Sequence, residues 1–195
     1  MPGVTLLCVS HSRDHPAAGP GQGNGQFMRA ALHVIAGPGP GQLATIAHPR
    51  ADAWPVEQLG ALARAGVNVL VSALTTVEQH RLGFGDTAAA ASSYGLQFVS
   101  FPVPDGGVPR DEAVQVVSLA GQLAGQVRAG RFVVTQCFGG IGRSTLLACT
   151  TLVLLGIPPG EALSRVTGGT EMPVTQDWLY DFVASHPSRR LADSA

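Results

Sequence analysis

A chain of 195 residues, 45% of them hydrophobic, 13% charged and 6% aromatic, suits one compact domain with a modest extension and is too apolar for wholesale disorder. A formal net charge of -1 leaves no basic excess for sequence-independent binding to nucleic acid, and no polybasic run marks a membrane surface. All 12 cationic side chains are arginine, which together with 25 glycines and 14 prolines reads as the codon bias of a GC-rich genome. The longest apolar stretch, Thr145 to Ile157, is well short of the roughly 20 residues that cross a bilayer, and no secretory signal pattern opens the chain. The expectation is a soluble, cytoplasmic monomer. Three cysteines, Cys8, Cys137 and Cys149, are an odd number without metal-ligand spacing, so neither a disulfide framework nor a metal site is expected.

Residues 1–27 read as a flexible segment because His11 to Gln26 is rich in Gly, Pro, His and Gln without apolar periodicity. The domain is expected over 28–187, with 188–195 as a tail. Ala31 to Ile35 and Leu43 to Ala47 are short apolar runs around Gly-Pro-Gly-Pro-Gly, which suits two strands on a tight connection. Val56 to Ala65 carries helical spacing and ends at Gly66, and Val67 to Ala73 reads as a buried strand. Thr75 to Leu82 is a short helix, Leu96 to Val103 a strand, and Arg110 to Ala129 a long helix ended by Gly130. Arg131 to Gln136 is a β-branched strand that runs into a glycine-rich turn, followed by helices at Ser144 to Leu155, Gly160 to Val166 and Val174 to Ser185. The alternation predicts an α/β fold with a mainly parallel sheet and helices on both faces.

The chemistry concentrates in Val133 to Leu147, VVTQCFGGIGRSTLL. A strand ends in Cys137, the segment Phe138, Gly139, Gly140, Ile141, Gly142 follows, and Arg143 and Ser144 open a helix. Glycines let successive N–H groups turn inward into a concave nest at a helix N-terminus, where the macrodipole favours an anion. An arginine that closes the loop adds a planar, permanently charged clamp for phosphate oxygens. The same cradle favours the thiolate form of a cysteine at its base. A lone cysteine would be read as core filler and the glycines as an ordinary turn; Cys, five residues, Arg and Ser between strand and helix point to a nucleophile beneath an anion cradle instead.

CFGGIGRS resembles the active-site loop of the cysteine-dependent protein tyrosine phosphatase superfamily, in particular its small dual-specificity members. FPVPDGGVP, from Phe101 to Pro109, resembles their general-acid loop, and the two together look closest to the cyclin-dependent-kinase-associated phosphatase subgroup. Weaker similarity runs through VSALTTVEQHRLG to TQDWLYDF, so the resemblance covers roughly residues 30 to 185. It implies a fold of the tyrosine phosphatase type and hydrolysis of phosphomonoesters on proteins, with neither metal nor cofactor. The catalytic residues it implies are Cys137 as nucleophile, Arg143 with the N–H groups of Phe138 to Arg143 as phosphate cradle, Asp105 as general acid, and Ser144 as hydrogen-bond partner of the sulfur. Asp105 also sits in Pro-Asp-Gly-Gly, a strong turn signal by itself, and Ser144 also fits a helix N-cap. Gln176 matches a glutamine that orients the hydrolytic water in related phosphatases, and equally fits a surface position on the last helix. Glu78 matches a frequent family glutamate, though a solvated helix carboxylate is the reading preferred from its position.

Two positions depart from the family pattern. Gln136 stands where a histidine usually precedes the nucleophile, and Gly168-Gly169 stands where an Arg-Gly pair is common. The expected substrate is protein phosphotyrosine, with phosphoserine or phosphothreonine added if the pocket is shallow, because the loop interior carries no Lys, Arg or His to meet the extra phosphates of an inositol lipid. A rhodanese-like sulfurtransferase and a weakly catalytic phosphate-recognition module are the alternatives.

Overall fold

A computed structural model describes residues 32–37, 39–47, 56–82, 86–104, 113–139 and 142–169. Five strands form one sheet in the order β1-β2-β5-β3-β4: β1 (Leu32–Ile35), β2 (Gln42–Ala47), β3 (Val69–Ser72), β4 (Gln97–Ser100) and β5 (Phe132–Cys137). Only β1 runs against the rest. It pairs antiparallel with β2, while β2 with β5, β5 with β3, and β3 with β4 are parallel. The expected mainly parallel sheet is therefore present, and β5, buried at every position, is its middle strand.

Side chains alternate along each strand, so the sheet feeds two cores. One face sends Ile35, Leu43, Val71 and Val133 against three helices, α4 (Ala113–Arg128), α5 (Arg143–Leu154) and α6 (Pro159–Thr167). The other sends Ala44, Ile46, Leu70 and Val134 against α1 (Val56–Arg64) and α3 (Thr87–Ser93). Short helix α2 (Thr76–Arg81) buries no residue fully and lies at the end of β3. Helix α5 is buried from Arg143 to Val153, packed on β5 and β2 and flanked by α4 and α6. That enclosure explains its apolar sequence, and its buried Thr150 and Thr151 hydroxyls donate to the carbonyls of Leu146 and Leu147 at 2.8 and 2.7 Å.

The expected elements are found with boundary shifts, and two differences have physical causes. Strand β4 ends at Ser100 rather than Val103 because Pro102 and Pro104 have no N–H to continue a ladder. Phe101 and Val103 between them still donate to Ser72 and Ala73 carbonyls, at 2.8 and 3.2 Å, so the segment stays fastened beside β3. Helix α3 is an element that the apolar pattern does not announce, since its TAAAASS sequence has high alanine content but no periodic stripe. Gly168 and Gly169 take left-handed conformations, φ 66° and 77°, that close α6, with the Gly169 N–H donating to the Ser164 carbonyl at 2.9 Å. The expected helix at Val174 to Ser185, the boundaries at 27 and 187, and Cys8 lie outside the described residues. Among the described residues, no helix is long and apolar enough to cross a membrane.

Candidate active site

Cys137 is the last residue of β5, placed at the carboxyl edge of the central strand, where open α/β sheets gather their ligands. It is 1% exposed. The chain turns through Gly142, whose φ of 106° and ψ of -93° belong to a backbone region that disfavours side chains, and enters α5 at Arg143. Gly142 occupies the N-cap, so the cap reading of Ser144 is corrected: Ser144 lies inside the first turn, fully buried, and its hydroxyl is 3.1 Å from the Cys137 sulfur. Thr135 donates to the Ser144 carbonyl at 3.0 Å and ties the strand to the first turn of the helix. A second threonine, Thr145, accepts from the Gly142 N–H at 3.4 Å. Strand, turn and helix thus hold sulfur, hydroxyl and guanidinium within eight residues of sequence.

Arg143 is buried with 7% of its side chain exposed. Its Nη1 and Nη2 donate to Glu78 Oε2 and Oε1 at 2.6 and 2.8 Å, a bidentate pair, and Nη1 also donates to the Val103 carbonyl at 3.2 Å. Glu78 is therefore no solvated helix carboxylate. The Arg143 hydrogen bonds hold its carboxyl well below the usual value of 4.5, at about 2, against the opposing effect of burial and with help from Thr75. The pairing could not be read from the sequence, because the partners are 65 positions apart. One signal was available. Thr75-x-x-Glu78 is a capping-box spacing, and the structure forms that box at the start of α2.

Of the other expected site residues, Phe138 is 39% exposed and Gly139 is exposed, just beyond the strand. Asp105, Gly140, Ile141 and Gln176 lie outside the described residues. Val103, whose carbonyl binds Arg143, precedes Asp105 by two positions in sequence. Gln136 is fully buried on the sheet face opposite Cys137, paired across the sheet with Ser72, and neither its Nε2 nor its Oε1 has a hydrogen-bond partner. Cys149 is core packing as expected: it is fully buried, and burial pushes its thiol up to about 12.

The family model described as Cyclin-dependent kinase inhibitor 3 (CDKN3) matches residues 61–163, which run from α1 through the loop to α6. A Mus musculus protein named "Cyclin-dependent kinase inhibitor 3" is 30% identical over 95 residues, 46% of this chain and 44% of that protein. The match thus spans less than half the length of that relative. Among solved structures, a kinase associated phosphatase (KAP) with serine in place of its catalytic-site cysteine superposes with a TM-score of 0.63 at 20% identity, covering 80% of this chain and 97% of the other. Pseudomonas aeruginosa TpbA in complex with pTyr gives a TM-score of 0.50 at 21% identity, over 74% and 78% of the two chains. At such identities the likeness is one of fold, and that fold is the sheet and loop described above. With the family model matching more than half of its length, the chain belongs to the Cyclin-dependent kinase inhibitor 3 (CDKN3) family.

Proposed function

We propose that this protein is a cysteine-dependent phosphatase that hydrolyses phosphotyrosine on proteins, with phosphoserine and phosphothreonine as further substrates, through a phosphocysteine intermediate. The observation that carries the reading is the placement of the Cys137 sulfur 3.1 Å from the Ser144 hydroxyl at the mouth of a loop that Arg143 closes. In the first step the sulfur attacks phosphorus, an S–P bond forms, and the P–O bond to the leaving oxygen breaks while Asp105 supplies that oxygen with a proton. Arg143 and the loop N–H groups hold the equatorial oxygens as charge redistributes. In the second step water attacks phosphorus, gives a proton to the Asp105 carboxylate, and the S–P bond breaks to release inorganic phosphate. The Ser144 hydroxyl then donates to the departing sulfur, and Gln176 orients the water. Arginine and backbone amides carry the charge stabilisation in this scheme, so it calls for no metal.

Glu78 has a clear part in it. It takes the Nη1–Nη2 edge of the guanidinium and so sets the orientation of the fork. Similarity to the KAP and TpbA folds and membership of the CDKN3 family support a phosphoprotein substrate. A reducing, cytoplasmic setting suits the reading, since the mechanism needs a free thiol, as Cys137 is here. A sulfurtransferase would give Asp105 no role and would not need Ser144 beside the sulfur. The test compares para-nitrophenyl phosphate, a phosphotyrosine peptide and thiosulfate as substrates for wild type and Cys137→Ser, with peptide binding measured in parallel. Phosphatase turnover lost in Cys137→Ser with peptide binding retained is the expected result. Turnover that survives the substitution rejects the covalent mechanism, and binding without any wild-type turnover makes the chain a recognition module.

A further inference from the structure

Helix α2 does more than supply Glu78. At its start Thr75 is extended, with φ -64° and ψ 159°, and its backbone N–H and hydroxyl both donate to Glu78 Oε2, at 2.7 and 2.9 Å. With Arg143 Nη1 at 2.6 Å, that one oxygen receives three donors and is fixed in place. The next residue, Gln79, spends both hydrogens of its amide nitrogen on anchors, the Leu74 carbonyl at 2.7 Å and the Ser100 hydroxyl at 2.8 Å. Ser100 ends β4, and the chain leaving it is stitched to β3 through Phe101 and Val103. The Val103 carbonyl then accepts from Arg143 Nη1. Two paths therefore leave α2 and meet on one guanidinium, a direct one through Glu78 and an indirect one through Gln79, Ser100 and Val103.

We propose that Thr75, Gln79 and Ser100 are positioning residues for Arg143, together forming a bracket that sets the plane of its guanidinium before phosphate arrives. The proposal rests on the phosphate-binding role given to Arg143 above. A carboxylate grips one edge of a guanidinium and lets the fork tilt about that edge. The Val103 carbonyl adds a third acceptor that opposes the tilt, and Ser100 holds the root of the segment carrying it. Orientation matters because two parallel N–H···O bonds to phosphate need the fork within about 10–20° of its productive plane. None of the three residues touches the reacting atoms, so their effect must pass through oxyanion binding.

The experiment measures calorimetric affinity of the full chain for inorganic tungstate, a phosphate-shaped oxyanion, alongside urea midpoints. Ser100→Ala and Thr75→Val each remove one hydroxyl, Ser100→Thr and Thr75→Ser keep it, and Arg143→Lys removes the fork. Loss of one hydrogen bond predicts tungstate affinity about 3- to 10-fold weaker for Ser100→Ala and Thr75→Val. The hydroxyl-retaining variants should recover to within about twofold of wild type on the same argument. Wild-type affinity in Ser100→Ala and Thr75→Val, with binding lost in Arg143→Lys, overturns the bracket and leaves the phosphate cradle standing. Equal losses in Ser100→Ala and Ser100→Thr overturn it too, since the hydroxyl would then not be the cause. Tungstate binding that is unaffected by Arg143→Lys, or absent from wild type, rejects the cradle itself, and the bracket falls with it.

Discussion

Replacing Glu78 by glutamine keeps the shape of the side chain on α2 and removes the charge that faces Arg143. The carboxyl sits at about 2 in the folded protein against an ordinary 4.5, a displacement that corresponds to roughly 3 kcal/mol at full strength. The Glu78 side chain is 27% exposed, so solvent screening reduces this, while the 7% exposure of Arg143 makes an uncompensated guanidinium costly. A net loss of about 2 kcal/mol is expected at pH 7, or roughly 4–8 °C in Tm for a chain of this size. The pH dependence is the sharper readout. Because the folded value lies below the unfolded one, the carboxylate contributes its full stabilisation above about 4.5 and loses it as pH falls through about 2. Urea midpoints of wild type and Glu78→Gln should therefore differ most at neutral pH and converge steadily between pH 4.5 and pH 2. Other carboxylates titrate in both proteins and cancel in the difference. A gap that stays constant down to pH 2 would refute the ion pair as its source and leave only lost packing.

Asp105→Asn should slow hydrolysis of a phosphotyrosine peptide far more than that of para-nitrophenyl phosphate, whose phenolate leaves with little help; equal slowing with a lower Tm would make Asp105 a turn residue. Gln136→Leu should raise stability by about 1–3 kcal/mol in urea titrations, because it replaces a fully buried amide whose two polar atoms lack partners. A lower midpoint would show instead that the amide is bonded in solution. Gly41→Ala should cost at least about 3 kcal/mol or prevent folding, since the added methyl would collide with the backbone carbonyls of Val127 and Arg131, the latter 2.5 Å away. An unchanged melting temperature would contradict the close seating of the β1–β2 connection against the end of α4.

The parts of this protein legible in its sequence are those whose causes lie between near neighbours in the chain. The consecutive β-branched residues Val133, Val134 and Thr135, glycines with the left-handed turn conformation after helices, such as Gly66 and Gly130, and the run from Cys137 to Ser144 each encode local geometry directly. That locality is why Cys137, Arg143 and Ser144 can be read from the sequence as one candidate site. Residue types that serve two ends were not decided in this way. Ser144 fitted both a cap and a partner for sulfur, and only the placement of Gly142 at the helix start turned its hydroxyl to Cys137. Glu78 fitted both a solvated carboxylate and a family position. It became the counter-ion of Arg143 because β5 inserts between β2 and β3, which brings the end of β3, and α2 after it, beside the start of α5. Strand order is a property of how two hydrophobic faces are best covered by helices, and no single segment states it. The same ordering set the Val103 carbonyl on the guanidinium from 40 positions away and left the side-chain amide of Gln136 without a hydrogen-bond partner. Short-range chemistry is written in neighbouring side chains, whereas contacts across 40 or 65 positions exist only once the whole core has chosen its packing.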